Sequence, residues 1–486
     1  MTPVLVLNVV GLSPGLIGPA TPHIASLVRR GGLRPLETIT PAVTCSVQAT
    51  FLTGTLPREH GVIANGWLFR ELQEVWLWRQ SNKLVRGEKV WDAARHLDES
   101  TTCANLFWWY AMGSSVDIVV TPRPIYKADG RKIEDCYSDP PELRDVLTEQ
   151  LGPFPLFQFW GPATSIASTR WIAKAAIHVM AGRNPSLTLV YLPHMDYALQ
   201  RLGPNDPQIQ SHLSELDCVV GELIQFAQST GRRIILLSEY GVVKVDRPVH
   251  INRCLREAGF LSVRCEQHSE HLDIYRSRAF AVSDHQIAHI YVREAQDVPR
   301  VAECVRRLDG VEDVLDCEGK ARLGLDHPRS GELVALAAKD AWFTYYYWLD
   351  DCRAPDFART VDIHRKPGYD PTELFIDPTI ALPQIAIGWR LLKKKLGFRS
   401  LMDIIPLDAS LIRGSHGRAD LEPEQGPVII SSEASLLPDR QVRAENVKAI
   451  ILDHLFSPTP YREAPSNVIN RPLETKLQSR GSSRPA

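Results

Sequence analysis

The sequence predicts an α/β fold, a mainly parallel sheet covered by helices and interrupted by a small α+β insertion. Three observations predict it. Residues Val4 to Val10 form a near-continuous β-branched apolar run, as expected of a strand buried on both faces. The runs Leu187 to Leu192 and Ile234 to Leu237 repeat that signature. Helical patterns from Ser168 to Ala181 and from Gln208 to Ser229 lie between them. Strands alternating with helices imply βαβ units and a parallel sheet.

The elements follow in order. The first strand runs into Gly11-Leu12-Ser13, and a later loop presents Thr44 ahead of a helix-compatible stretch. The other two strands end at His194-Met195-Asp196 and at Ser238-Glu239-Tyr240. Ligands of such sheets gather at the carboxyl ends of the strands, so these segments are expected to share one edge. After residue 265 the pattern breaks. Ile287 to Val292, Val298 to Leu308 and Val311 to Leu315 read as strand, helix and strand. Residues 266–332 are therefore expected to form an inserted subdomain between core segments 1–265 and 333–425, the chain returning to the core through Leu333 to Ala337. Residues 342–378, dense in aromatics, Asp and Pro, read as an ordered loop region over the site. Residues 426–486 are expected to hold a C-terminal helix and a partly disordered tail, rich in Pro, Ser and Arg from Ser457 onward.

Composition excludes several classes. With 486 residues, 44% hydrophobic, 23% charged and a formal net charge of −2, nothing points to nucleic acid. No apolar run reaches the roughly 18 residues that span a bilayer. Lys393-Lys394-Lys395, beside Leu391, Leu392, Leu396 and Phe398, reads as the solvated face of a helix, with contact to an anionic surface as the rival. The opening MTPVLVLNVVGL lacks the basic segment of a secretory signal. Nine cysteines without a C-x-x-C pair suggest reduced thiols and a cytoplasmic location, not a disulfide framework or a zinc cage. No feature reports oligomeric state.

Most chemical information sits between Pro41 and Gly66, PAVTCSVQATFLTGTLPREHGVIANG. Thr44, Thr50, Thr53, Gly54, Pro57, His60, Gly61 and Asn65 match, without a gap, the pattern T-F-P-N-H-x-T-L-V-T-G-x-x-P-x-x-H-G-I-x-x-N. The segment resembles the nucleophile region of the alkaline phosphatase superfamily, in its nucleotide pyrophosphatase/phosphodiesterase branch. That resemblance implies a doubly wound sheet. It also implies hydrolysis of a phosphate ester or diester through a covalent phospho-Thr intermediate, with divalent metal assistance. Thr44 would be the nucleophile, because a hydroxyl needs a neighbouring base or metal to attack at neutral pH. Asn65 and the free N–H groups of a helix starting after Thr44 would hold phosphoryl oxygens. Against this, Thr44 taken alone reads as a helix cap, and Cys45 as a rival thiol nucleophile.

The ligands implied by the resemblance have diverged. The first-strand Asp of a D-G pair is replaced in Val10-Gly11, with Asn8 two residues back on the same strand face. The pattern D-x-x-x-H-x-x-G-P reads Asp196, Gln200, Gly203, Pro204, and S-D-H-G reads Ser238-Glu239-Tyr240-Gly241. The late H-G survives in His416-Gly417. Asp196, Glu239 and His416, with Gln200 as an amide donor, suit one Mn²⁺ or Mg²⁺ better than two Zn²⁺. Three further sets are candidates for relocated ligands: His194 with Asp196, Asp284-His285 with His289, and Asp362 with His364. Arg123, Arg365 and Lys366 are candidates to grip a second phosphate. The aromatic runs Phe107 to Tyr110 and Trp342 to Trp348 read as buried core, or as a platform for a ring-bearing substrate. The expected substrate is a small-molecule phosphate ester. The rival functions are a metal-poor binding protein that has lost hydrolysis, and phosphoryl transfer to an acceptor other than water.

Overall fold

The first strand, Val4–Val9, is buried along its whole length and lies at the centre of a nine-stranded sheet. Leu187–Leu192 and Arg233–Leu237 pair with it in parallel, in registers that set Asn8 against Tyr191 and against Leu237. Cys103–Leu106 and Ile118–Pro122 extend the parallel run. Antiparallel strands bound it at Val428–Ser431 on one side and Cys136–Asp139 on the other. This computed structural model describes residues 1–398 and 400–457, so the C-terminal tail expectation lies outside the described residues except at Ser457.

Helices cover the sheet in two groups. Pro22–Arg30, Ile166–Arg183 and Ile209–Ser229 pack together, and Val447–Phe456 packs on Thr44–Thr53 and Val90–Leu97. The C-terminal helix is thus part of the core, with Val447, Ile450 and Ile451 fully buried. The expected strands and helices at 4–10, 168–181, 187–192, 208–229 and 234–237 are present to within a few residues.

A second lobe is built on a four-stranded antiparallel sheet, in the order Ala279–Asp284, Ile287–Val292, Leu333–Ala337, Val311–Leu315. Here one expectation needs correcting. Leu333–Ala337 does not return the chain to the core but pairs on both edges within this second sheet. Periodicity identifies such an apolar run as a strand; it cannot choose between two sheets. The second lobe also takes up Trp342, Phe343, Tyr345, Tyr346, Tyr347 and Trp348, all at most 1% exposed in its own apolar cluster. That aromatic run is core, and the substrate-platform reading does not apply to it.

Candidate active site

Thr44 opens the helix Thr44–Thr53, whose residues are all buried. The rest of its segment is scaffold. Gly54 ends the helix at φ +70°, a left-handed conformation that suits glycine. The His60 ring accepts from Val62 N at 3.1 Å through Nδ1, and Nε2 then donates to Thr50 Oγ1 at 3.0 Å. The Thr44 hydroxyl meets the Tyr240 hydroxyl at 3.0 Å.

Asn65 does not face the cavity as a free donor. Its Oδ1 accepts from Cys45 N at 2.9 Å, its Nδ2 donates to Asp284 Oδ1 at 3.0 Å, and its own N–H donates to Asp284 Oδ2 at 2.8 Å. It clamps the start of the Thr44 helix to the second lobe. Cys45 is fully buried, and burial pushes its thiol well above the ordinary value, which leaves it a poor nucleophile.

The two carboxylates sit at the ends of the strands flanking Val4–Val9. Glu239 Oε1 accepts from Asn8 Nδ2 and from Gln48 Nε2, each at 2.6 Å, and its Oε2 is buried without a partner. Burial raises its pKa to about 8, partly offset by Gln48, Asn8 and, more weakly, the Thr44 hydroxyl. Asp196 lies in the first turn of the helix His194–Leu202. Its Oδ2 accepts from Gln200 Nε2 at 2.9 Å, its Oδ1 is unpartnered, and burial raises its pKa to about 7. His416 follows the short strand Gly414–Ser415, where a Cβ on Gly414 would lie 2.2 Å from the Leu199 carbonyl oxygen. This close approach brings His416 Nε2 to 3.7 Å from Asp196 Oδ1. Since His416 Nδ1 donates to Ala42 O at 2.8 Å, the Nε2 lone pair faces the site.

The second lobe supplies His285. It sits at φ +61° in the hairpin turn between Ala279–Asp284 and Ile287–Val292, its ring centroid 3.7 Å from that of His416 and 3.7 Å from that of Tyr369. Nδ1 donates to Asp284 Oδ1 at 2.7 Å, leaving Nε2 buried and unpartnered. Tyr369, from the loop region over the site, donates to Gln200 Oε1 at 2.8 Å. Thr44, Asp196, Tyr240, His285, Tyr369 and His416 share one cavity of about 1930 Å³. Trp78, Trp109 and Trp160 stand in its walls.

The profile of the type I phosphodiesterase/nucleotide pyrophosphatase family matches residues 4–370. The chain belongs to that family. A 227-residue stretch, 46% of the chain, is 23% identical to an uncharacterised pyrophosphatase/phosphodiesterase of Schizosaccharomyces pombe and covers 41% of that relative. Phosphonoacetate hydrolase from Sinorhizobium meliloti 1021, solved with phosphonoformate, superposes with a TM-score of 0.60 at 15% identity, over 94% of this chain and 96% of that one. Murine ectonucleotide pyrophosphatase/phosphodiesterase 5, an inactive variant solved with AMP, superposes with a TM-score of 0.58 at 14% identity, over 96% and 98%.

The donor set departs from the one implied by the resemblance of the nucleophile segment. The two-metal arrangement does not fit. Val10 offers no ligand, Gln200 turns its amide nitrogen to Asp196, and Tyr240 uses its hydroxyl on Thr44 while its ring stacks on His416 at 3.6 Å and 7°. One divalent cation does fit, because Asp196 Oδ1 and His416 Nε2 are buried, unpartnered and 3.7 Å apart.

The candidate relocated ligands separate cleanly. His285 reaches the site. His194 does not: it lies on a helix, not a strand, so two residues' separation turns it away from Asp196, and its Nε2 meets His212 Nδ1 at 3.1 Å. His289 donates through Nε2 to Ile63 O and accepts through Nδ1 from Gly331 N, so it is structural. Asp362 and His364 line the outer cavity, with Asp362 paired to Arg365 at 3.1 Å. Arg123 and Arg365 reach the cavity wall, but Lys366 is buried between Asp370 at 2.8 Å and Glu373 at 2.7 Å and cannot grip a phosphate. Sequence reasoning missed Gln48 and Tyr369. Gln48 was discoverable, since it lies one helical turn after Thr44 on the same face.

Proposed function

We propose that this chain is a phosphohydrolase acting on a small phosphate ester or diester, with Thr44 as nucleophile and Glu239 as its proton acceptor. The observation that carries this is the floor of the cavity, where the Thr44 hydroxyl meets Tyr240 at 3.0 Å, with the fully buried Glu239 behind it close enough to feel that hydroxyl. Thr44 Oγ1 attacks phosphorus, its proton passes to Glu239, and the leaving oxygen takes a proton from solvent in the open cavity. Water then attacks the phospho-Thr, Glu239 returns its proton to Thr44 Oγ1, and phosphate is released. Glu239 accepts the proton in its ionised form, and burial makes that form a stronger base than an exposed carboxylate. Asp196 and His416 would hold one divalent cation, Mn²⁺ or Mg²⁺ in preference to two Zn²⁺, and when bound it would supply positive charge to the phosphoryl oxygens.

The tryptophans of the cavity wall favour a substrate carrying a ring or apolar group. The AMP and phosphonoformate bound by the structural neighbours support a small phosphorus-bearing ligand. Free thiols support a cytoplasmic location. The test is release of p-nitrophenol from mono- and diester substrates with Mn²⁺, Mg²⁺ or Zn²⁺ added, comparing wild type with Thr44→Ala. Turnover lost in the variant is expected; turnover retained would remove Thr44 from the mechanism.

A second reading, a binding protein without hydrolysis, is favoured by one observation. The replacing residues satisfy the site internally, Gln200 on Asp196 and Tyr240 on Thr44. Phosphate-ester binding without turnover under any of the three metals would decide for it.

A further inference from the structure

We propose that His194, His212 and Glu215 form a zinc site outside the catalytic cavity. His194 opens the helix His194–Leu202, and the other two lie one turn apart on the neighbouring helix Ile209–Ser229. His194 Nε2 is 3.1 Å from His212 Nδ1 and 3.7 Å from Glu215 Oε2, and His212 Nδ1 is 4.0 Å from the same oxygen. A point equidistant from three atoms so spaced lies about 2.1 Å from each, the length of a zinc–imidazole or zinc–carboxylate bond. A tetrahedral ion separates its donors by about 3.3 Å, so only the partly exposed Glu215 has to close in, by about 0.5 Å. His194 is 4% exposed, so its ring is held by packing. Two imidazole nitrogens in contact either share one N–H or give that proton up to a metal. The set is two imidazoles and a carboxylate, with a fourth position for water.

The test is zinc content and zinc titration of the full chain after chelator stripping, for wild type, His212→Ala, Glu215→Gln and Asp196→Asn. Wild type should bind one tight equivalent that Asp196→Asn keeps, His212→Ala loses and Glu215→Gln weakens at least tenfold. Equal zinc binding by wild type and His212→Ala overturns the site, as does loss through Asp196→Asn alone. Far-ultraviolet circular dichroism confirms that the variants are folded.

Independently, we infer that the helix Pro383–Lys395 docks the protein on an anionic phospholipid surface. No residue of this helix is buried. Ile385, Trp389, Leu392 and Leu396 form one stripe along it, 67%, 57%, 44% and 65% exposed. Lys393 lies over the Trp389 ring at 5.4 Å, and Lys394 comes near Lys132 of an exposed hairpin that also presents Tyr126 and Ile133. The cavity walls carry seven Lys or Arg side chains against two carboxylates above the floor, Asp129 and Asp362. Apolar residues and cations on one exposed helix are what an interfacial helix presents to acidic lipid.

Co-sedimentation of the full chain with phosphatidylcholine vesicles, with and without phosphatidylserine, tests this. Binding should require phosphatidylserine, fall with added salt, weaken about fivefold for each lysine removed from 393–395 and be lost in the double variant Ile385→Ser, Trp389→Ser. Equal binding to both vesicle types, no binding to either, or a wild-type dimer that this double variant makes monomeric overturns it; the last assigns the stripe to a second copy.

Discussion

At the scale of single residues, the site is a set of buried lone pairs around one hydroxyl. Val43, not Thr44, caps the helix, so Thr44→Ala removes the nucleophile while costing about 1 kcal/mol for the lost hydrogen bond to Tyr240, and activity should vanish with the melting temperature nearly unchanged. Thr44→Ser should retain measurable turnover, and the two variants compared in one assay separate chemistry from fold. Glu239 gives a pH prediction. Its folded pKa, about 8, lies above that of an exposed Glu. The folded state therefore holds a proton the unfolded state releases, and this group's contribution falls as pH rises from the ordinary Glu range through 8. In chelator, the melting temperature of wild type relative to Glu239→Gln should drop between pH 6 and pH 8.5; a constant difference would contradict the raised pKa. Activity should rise over the same interval as Glu239 ionises. Part of this site was legible in the sequence: Thr44, Asp196 and His416 line one cavity, with Glu239 buried behind Thr44. The direction in which Asn65 and His194 turn was not legible, for a physical reason. A motif fixes a residue's place along the backbone, whereas its rotamer depends on partners distant in sequence, here Asp284 and His212.

Among elements, the segment Asp362 to Phe375 is held by a buried charge cluster. Lys366, 1% exposed, sits between Asp370 and Glu373, and Glu373 Oε1 also accepts from Asp362 N at 2.9 Å. Lys366→Met leaves two buried carboxylates without their cation, a loss of about 3–5 kcal/mol. Chemical denaturation should show that loss, and limited proteolysis should cut first within 362–375. Secondary structure was readable because alternation and helical periodicity are local. The placement of Leu333–Ala337 was not, because its pairing with Val311–Leu315 and Ile287–Val292 depends on which sheet edge is open.

Across the whole molecule, two apolar clusters meet at the cavity: the nine-stranded sheet brings Thr44, Asp196 and Tyr240, and the second lobe brings His285 and Tyr369. Trp160, packed against both clusters, lies 5.7 Å between ring centroids from Tyr369. Calorimetry should therefore record one unfolding transition, and two resolved transitions would show that the lobes fold independently.

The Asn65–Asp284 pair has a mechanical meaning. It is a two-bond pin across the seam between the lobes, one residue from His285 and joined through Cys45 N to the turn that carries Thr44. The clamp thereby fixes the spacing between the Thr44 helix and the turn that carries His285. Asn65→Ala removes both side-chain bonds of this clamp and keeps only the backbone one, and a displacement of about 1 Å at the nucleophile is enough to slow an aligned reaction about a hundredfold.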